Sequence, residues 1–348
     1  MADNEPNRAG DTSQRCGNSP ALRFSKDFIP PSPSIRVLDE DGLVTKLGSL
    51  GFVDADTEQA RYLLGRIGYA HVKGYLREFT DGRVPSLMRV HQAMTLDRRF
   101  QAVLLEYIGL FELQFRAQYS QELARVGGAF AHRDEENFKS PEHYREFVGD
   151  YQRELNRQLN AGNRHVMALM GRYGELPIWD AVEVMSFGTL SKMYKNTRSK
   201  AVRFVVADSF GVRHEMLESW MQSIAYARNR CAHFGRLLGT TLSAPPKRLG
   251  GISLSNQHPF YLVLVLEKLL NTDVGFSDDT SLMYSLSLLL DMANLIARTP
   301  RNIADLYVPP NWRSMMTARN VAGTSVEMLA SGQPNSSVTV IAKRPEQQ

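Results

Sequence analysis

Apolar positions along this chain recur mostly at helical spacing. From Phe100, the residues Val103, Leu104, Tyr107, Ile108, Phe111 and Phe115 keep intervals that hold one face as far as Tyr119, the pattern of a long amphipathic helix. The pattern predicts that this helix opens at Asp97, a residue type favoured at N-caps, and stops at Gly127 and Gly128. Thr57 is placed to cap a helix carrying Ala60, Leu63, Leu64 and Ile67 on one face. Gly68 and Gly74 interrupt the stretch after it. Ser140-Pro141 predicts a helix start, with Tyr144, Phe147, Tyr151 and Leu155 turned inward. Pro177 and Trp179 begin a helix that Gly188 breaks, and another follows from Leu190. Residues 215–233, 260–270 and 281–297 complete the helical set. Alternation with a period of two is nearly absent, apart from a short run at 337–342 (SVTVIA). The fold class expected is therefore all-α.

The helix at 215–233 has the most regular stripe. Leu217, Trp220, Ile224, Ala227, Cys231 and Phe234 follow one another at 3, 4, 3, 4 and 3 residues, one buried face of one helix, with Gly235 as a stop. Measured from Ala227 in an ideal helix, Arg228 lies near about 100°, Asn229 about 200° and His233 about 240°. All three leave the stripe. Asn229 and His233 share a face, whereas Arg228 stands about 140° from His233. Arg228 and His233 converge only if the helix end distorts or two copies of the helix meet.

The ends differ in composition. Residues 1–34 mix five prolines with Asn, Asp, Ser and Gly and read as a disordered segment. Residues 314–348 lack a sustained apolar period and read as a tail. The body, 35–313, is expected to be one helical domain. Of the 348 residues, 43% are hydrophobic and 22% charged, which excludes a fully disordered or collagen-like chain. Two cysteines cannot build a disulfide framework or a cysteine-based zinc site, and they suit a reducing compartment. The most apolar run, 260–266 (FYLVLVL), is far short of the roughly 20 residues that cross a bilayer. The first residues lack the apolar core of a signal peptide, so a cytoplasmic location is expected. A formal charge of +4 permits a polyanionic partner without requiring one.

Histidine moves protons near neutral pH. Arginine binds phosphate through a planar, permanently charged fork. Asparagine orients either by hydrogen bonds. Together, Arg228, Asn229 and His233 are the residue types that metal-independent RNA cleavage needs. The spacing alone proves little. Composition predicts about two Arg–His pairs at such spacing, and Arg66/His71 and Arg125/His132 also occur. A helix end whose cations favour the C-terminal dipole would look the same. Trp179, Phe187 and Trp312 read as core aromatics. Arg98, Arg99, Lys192, Lys195 and Lys200 read as a solvated face or a phosphate-binding surface.

Context adds more. Residues 228–237 (RNRCAHFGRL) resemble the signature of Abi-like abortive-infection proteins of the AbiD/AbiF type, in the HEPN superfamily. Residues 67–79 (IGYAHVKGYLREF), 96–118 (LDRRFQAVLLEYIGLFELQFRAQ), 176–194 (LPIWDAVEVMSFGTLSKMY) and 308–312 (VPPNW) resemble further blocks of that family in the same order. His71 departs from the family's usual residue. The resemblance implies a HEPN-type helical bundle and an endoribonuclease in phage defence or toxin–antitoxin function. It further implies a composite Arg/His site at a homodimer interface and ends of the 2′,3′-cyclic phosphate and 5′-hydroxyl type. Carried over, Arg228 binds the scissile phosphate, His233 moves protons and Asn229 orients them, with no metal and no cofactor. Glu112 and Arg116, one turn apart, are expected to support them or to form a plain ion pair, and Arg230 and Arg236 to contact RNA. The partners implied are substrate RNA and an RNA antitoxin or guide-like RNA. The alternative is a non-catalytic RNA-binding or phage-sensing module.

Overall fold

A computed structural model of the chain describes residues 38–76, 84–250, 254–270, 288, 291–292, 294–300, 308–309, 325–329 and 339–343. Among the described residues the α-helices with defined bounds run in order: α1 Glu40–Ser49, α2 Glu58–Ile67, α3 Tyr69–Leu76, α4 Leu87–Gly127, α5 Pro141–Asn160, α6 Arg164–Tyr173, α7 Ile178–Val184, α8 Phe187–Asn196, α9 Lys200–Asp208, α10 His214–Ala232 and α11 Tyr261–Leu270. Among the described residues the fold is all-α. The one addition is an antiparallel strand pair, β1 Ser325–Leu329 and β2 Thr339–Lys343, in register Ser325↔Lys343. The alternating run at 337–342 thus lies partly in β2, whereas β1 carries no comparable signal. Residues 1–34 lie outside the described residues. So does most of 281–297, whose described positions 288, 291–292 and 294–297 are helical.

Helix α4 organises the body. Its 41 residues extend roughly 60 Å at 1.5 Å per residue. Helices α2, α3, α7, α9, α10 and α11 all pack on it, so its buried positions go around the helix rather than forming one stripe. Phe111 meets Phe187 of α8 edge-on at 6.1 Å and Phe210 at 5.2 Å. Phe115 meets Tyr194 at 5.3 Å, and the Tyr119 hydroxyl hydrogen-bonds Thr197 at 2.7 Å. Helix α10 lies in the same core, against α4, α8, α9 and α11.

Several expected boundaries move, each for a local physical reason. Helix α4 starts ten residues before Asp97. Ser86 caps it, accepting from the Arg89 N–H at 3.4 Å, and the Asp54 carboxylate accepts from the N–H groups of Leu87 and Met88. Those bonds satisfy the first-turn donors that a helix leaves open. Asp97 lies inside the helix and is fully buried. Gly74 is internal to α3. Gly188 does not break a helix: the chain turns at Met185 and Ser186, and Ser186 caps α8 by accepting from the Thr189 N–H. Trp179 is half exposed rather than in the core, whereas Phe187 is buried. Lys192 pairs with Glu146 at 2.8 Å and Asp150 at 3.2 Å, so its ammonium is engaged by neighbouring acids. Among the described residues no helix is long and apolar enough to cross a membrane.

Candidate functional site at the end of helix α10

Leu217, Trp220, Ile224, Ala227 and Cys231 face inward as their spacing predicts. Burial pushes the Cys231 thiol up to about 12, so it is protonated, unreactive packing. Phe234, the sixth member of the stripe, does not join it. Helix α10 ends at Ala232, His233 is the C-cap, and Phe234 turns outward, 67% exposed, with φ of +53°. The Gly235 N–H donates to the Arg230 carbonyl at 2.8 Å and the Phe234 N–H to the Cys231 carbonyl at 3.1 Å. This is the Schellman closure, in which glycine usually occupies the place that Phe234 holds here. A side chain in the left-handed region costs about 1–2 kcal/mol, so contacts outside the helix must hold the turn.

Those contacts come from α4 and α3. Asp97 accepts from the N–H of Leu237 at 3.0 Å, the N–H of Leu238 at 2.9 Å and the Tyr75 hydroxyl at 2.6 Å. One turn along α4, the Gln101 amide donates to the Gly235 carbonyl at 3.0 Å. Arg236 lies over the Tyr75 ring at 4.9 Å and donates to the carbonyls of Gly74 at 2.5 Å and Leu238 at 3.0 Å. Arg230 donates to the Arg236 carbonyl and to the Tyr226 hydroxyl. Both guanidiniums expected to contact RNA therefore brace the turn within the chain.

Arg228, Asn229 and His233 surround this braced end. Asn229 and His233 are exposed and one helical turn apart, and the His233 N–H donates to the Asn229 carbonyl at 3.1 Å. Arg228 is partly exposed, its Nε 4.0 Å from Oε2 of Glu112. The other oxygen of Glu112 lies 2.6 Å from Nη2 of Arg116. Arg116 donates in turn to the carbonyls of Val182 at 2.9 Å and Met185 at 3.0 Å, groups left open at the end of α7. A buried carboxylate thus links Arg228 to the core through a second arginine, Arg116. Glu112 approaches the motif at Arg228, whereas Arg116 reaches it only through Glu112, a placement that periodicity alone could not decide.

No hydrogen bond or ion pair among the described residues joins the other Arg–His pairs to Arg228, Asn229 or His233. His71 is exposed on α3. Arg125 pairs with Glu122 on its own helix at 2.6 Å. His132 is fully buried in a 3₁₀ turn, with its Nε2 3.9 Å from Glu175. Glu175 also accepts from the Tyr151 hydroxyl and the Leu176 N–H and pairs with Arg133 at 3.0 Å. Burial alone would raise the Glu175 carboxyl. The His132 ring, the Leu176 N–H, the Tyr151 hydroxyl and the Arg133 charge outweigh it and hold the group at about 2. Among the described residues no group of three His, Cys, Asp or Glu side chains is placed to hold a metal ion.

Sequence reasoning missed Asp97, Gln101 and Tyr75 as the grip on the α10 end. The available signal was a pair of polar residues, Asp97 and Gln101, four apart on the buried side of α4. The chain matches the family model of Abi-like proteins over residues 62–239, just over half its length. That span takes in α3, α4, the Glu112 network and the whole braced turn. No curated protein and no solved structure matches the chain.

Proposed function

The chain belongs to the Abi-like protein family, which points to abortive infection as phage defence, and on that footing we propose that it is a metal-independent endoribonuclease. The observation that carries this reading is the state of the α10 end. Arg228 opens to solvent from a buried anchor, beside an exposed Asn229–His233 pair, on a turn braced by α3 and α4. A mobile helix end would not hold groups to the tolerance that catalysis needs.

In the proposed reaction Arg228 binds the non-bridging oxygens of the scissile phosphate. The ribose 2′-oxygen attacks phosphorus as its proton passes to a neutral His233. The bond from phosphorus to the 5′-oxygen breaks, and that oxygen takes a proton from a protonated imidazole. The products are a 2′,3′-cyclic phosphate and a 5′-hydroxyl. An ideal helix would set Arg228 and His233 about 140° apart, and the proposed site is therefore drawn from two copies of the chain, which together contribute one arginine and two imidazoles to each phosphate. Asn229 orients the imidazole or the phosphate, and Glu112 fixes the direction of Arg228. Restraint in the uninfected cell would fall to a partner such as an antitoxin RNA.

The test is incubation of the purified protein and His233→Ala with total cellular RNA in EDTA. The proposal expects cyclic-phosphate and 5′-hydroxyl ends from the parent alone, with equal thermal stability of the two proteins. Equal cleavage by both would remove His233 from the site. RNA bound but left intact by the parent, in the presence of a phage lysate as well, would favour a binding module.

A further inference from the structure

Phe234 follows His233 directly, and among the described residues it is the only non-glycine residue with left-handed backbone. Helical continuation would have buried it with Cys231. Instead the bonds from Asp97 and Gln101 to residues 235–238 hold the turn that carries its ring outward. Backbone strain kept in place by surrounding structure collects at sites of binding and catalysis.

The surroundings indicate what the ring meets. Its exposed or partly exposed neighbours in the helix end are Tyr226, Arg228, Asn229, Arg230, Ala232 and His233, four of them polar or cationic side chains. No other residue described between 206 and 250 is a large, exposed apolar side chain. The core of a protein interface gathers contiguous apolar surface and sheds charge. A nucleobase needs only one flat ring and tolerates, or gains from, cations beside it. We propose that Phe234 is a stacking platform for an unpaired base next to the scissile phosphate, so that the site selects single-stranded RNA by shape rather than by sequence. The inference rests on the RNA-cleaving reading of the same site.

Its test uses His233→Ala as the parent, so that RNA survives, and a short single-stranded RNA carrying fluorescent 2-aminopurine in EDTA. Adding Phe234→Gly should weaken binding by about tenfold or more and abolish the quenching of the stacked probe. Phe234→Trp should restore both. Glycine suits the left-handed turn, so the Phe234→Gly protein should melt no lower than the parent, which separates lost stacking from lost folding. Equal binding by parent and Phe234→Gly would overturn the stacking role and leave the nuclease reading standing. A parent that binds no RNA would overturn both. A Phe234→Gly protein that loses RNA only because it has become monomeric, by light scattering, would make Phe234 a contact between copies and overturn the inference.

Discussion

Glu112 of α4 and Arg228 of α10 approach to 4.0 Å where α10 opens to solvent, and the same carboxylate holds Arg116 at 2.6 Å. Arg116 is held in turn by the carbonyls of Val182 and Met185 at the end of α7, so Glu112 is tied to the core on one side while the partly exposed Arg228 lies on the other. A buried charge deprived of one partner is costly because the remaining charge stays desolvated. Glu112→Ala should therefore destabilise the protein by about 3 kcal/mol in urea unfolding. The gentler Glu112→Gln should fold and bind RNA, yet cleave about tenfold more slowly or worse, through a misdirected Arg228. In an Arg228→Ala background, Glu112→Gln should cost little further rate, because the coupled partner is already gone. Single-turnover cleavage by the four proteins of that cycle decides the matter.

Arg228 itself should act through its fork and its charge. Arg228→Lys keeps the charge and loses the planar pair of donors, so it should retain RNA binding and lose most cleavage. Arg228→Ala should also flatten the dependence of log Kd on log salt by about 0.7 for each arginine removed from a single-stranded phosphate contact. Titrations at several salt concentrations would reveal an unchanged slope if Arg228 never touches the backbone.

Asp97 takes three hydrogen bonds in a fully buried position. Asp97→Asn replaces one acceptor oxygen by a donor that faces an N–H or a hydroxyl. The expected loss is about 3 kcal/mol of unfolding free energy, with faster amide exchange at Leu237 and Leu238 than elsewhere in the core. Exchange that speeds up uniformly would mean that Asp97 stabilises the whole fold without bracing the turn.

Glu175 gives a pH signature. Its folded carboxyl is held at about 2 against an ordinary 4.5. The stability that it contributes is full above pH 4.5 and is lost as pH falls through about 2. The gap in melting temperature between the parent and Glu175→Gln should then close over that acid window and stay constant above it. A gap that persists to the acid end would assign the effect to packing.

Much of this molecule was legible along the chain. Ser140-Pro141 and Thr57 mark helix starts that the structure confirms, and Gly128 marks a stop. The stripe from Leu217 to Cys231 faces inward, leaving Arg228, Asn229 and His233 outside it. Asp97 misled because its type favours caps, while in the fold it serves donors on a loop 140 residues later. Gly188 misled because a glycine in a first turn is tolerated when Ser186 supplies the cap.

The sequence by itself determined the helical class, several helix boundaries and the polar face of α10, since these depend on side-chain periodicity and capping within a few residues of each position, and its motifs carried the resemblance to the family. The tertiary structure decided the rest of the site. It set Glu112 against Arg228, closed Asp97 and Gln101 over the α10 end, and turned Phe234 out of a stripe that its spacing had assigned to the core. Such contacts join residues more than a hundred positions apart. Their energy comes from pairing buried charges and backbone donors that no local pattern records.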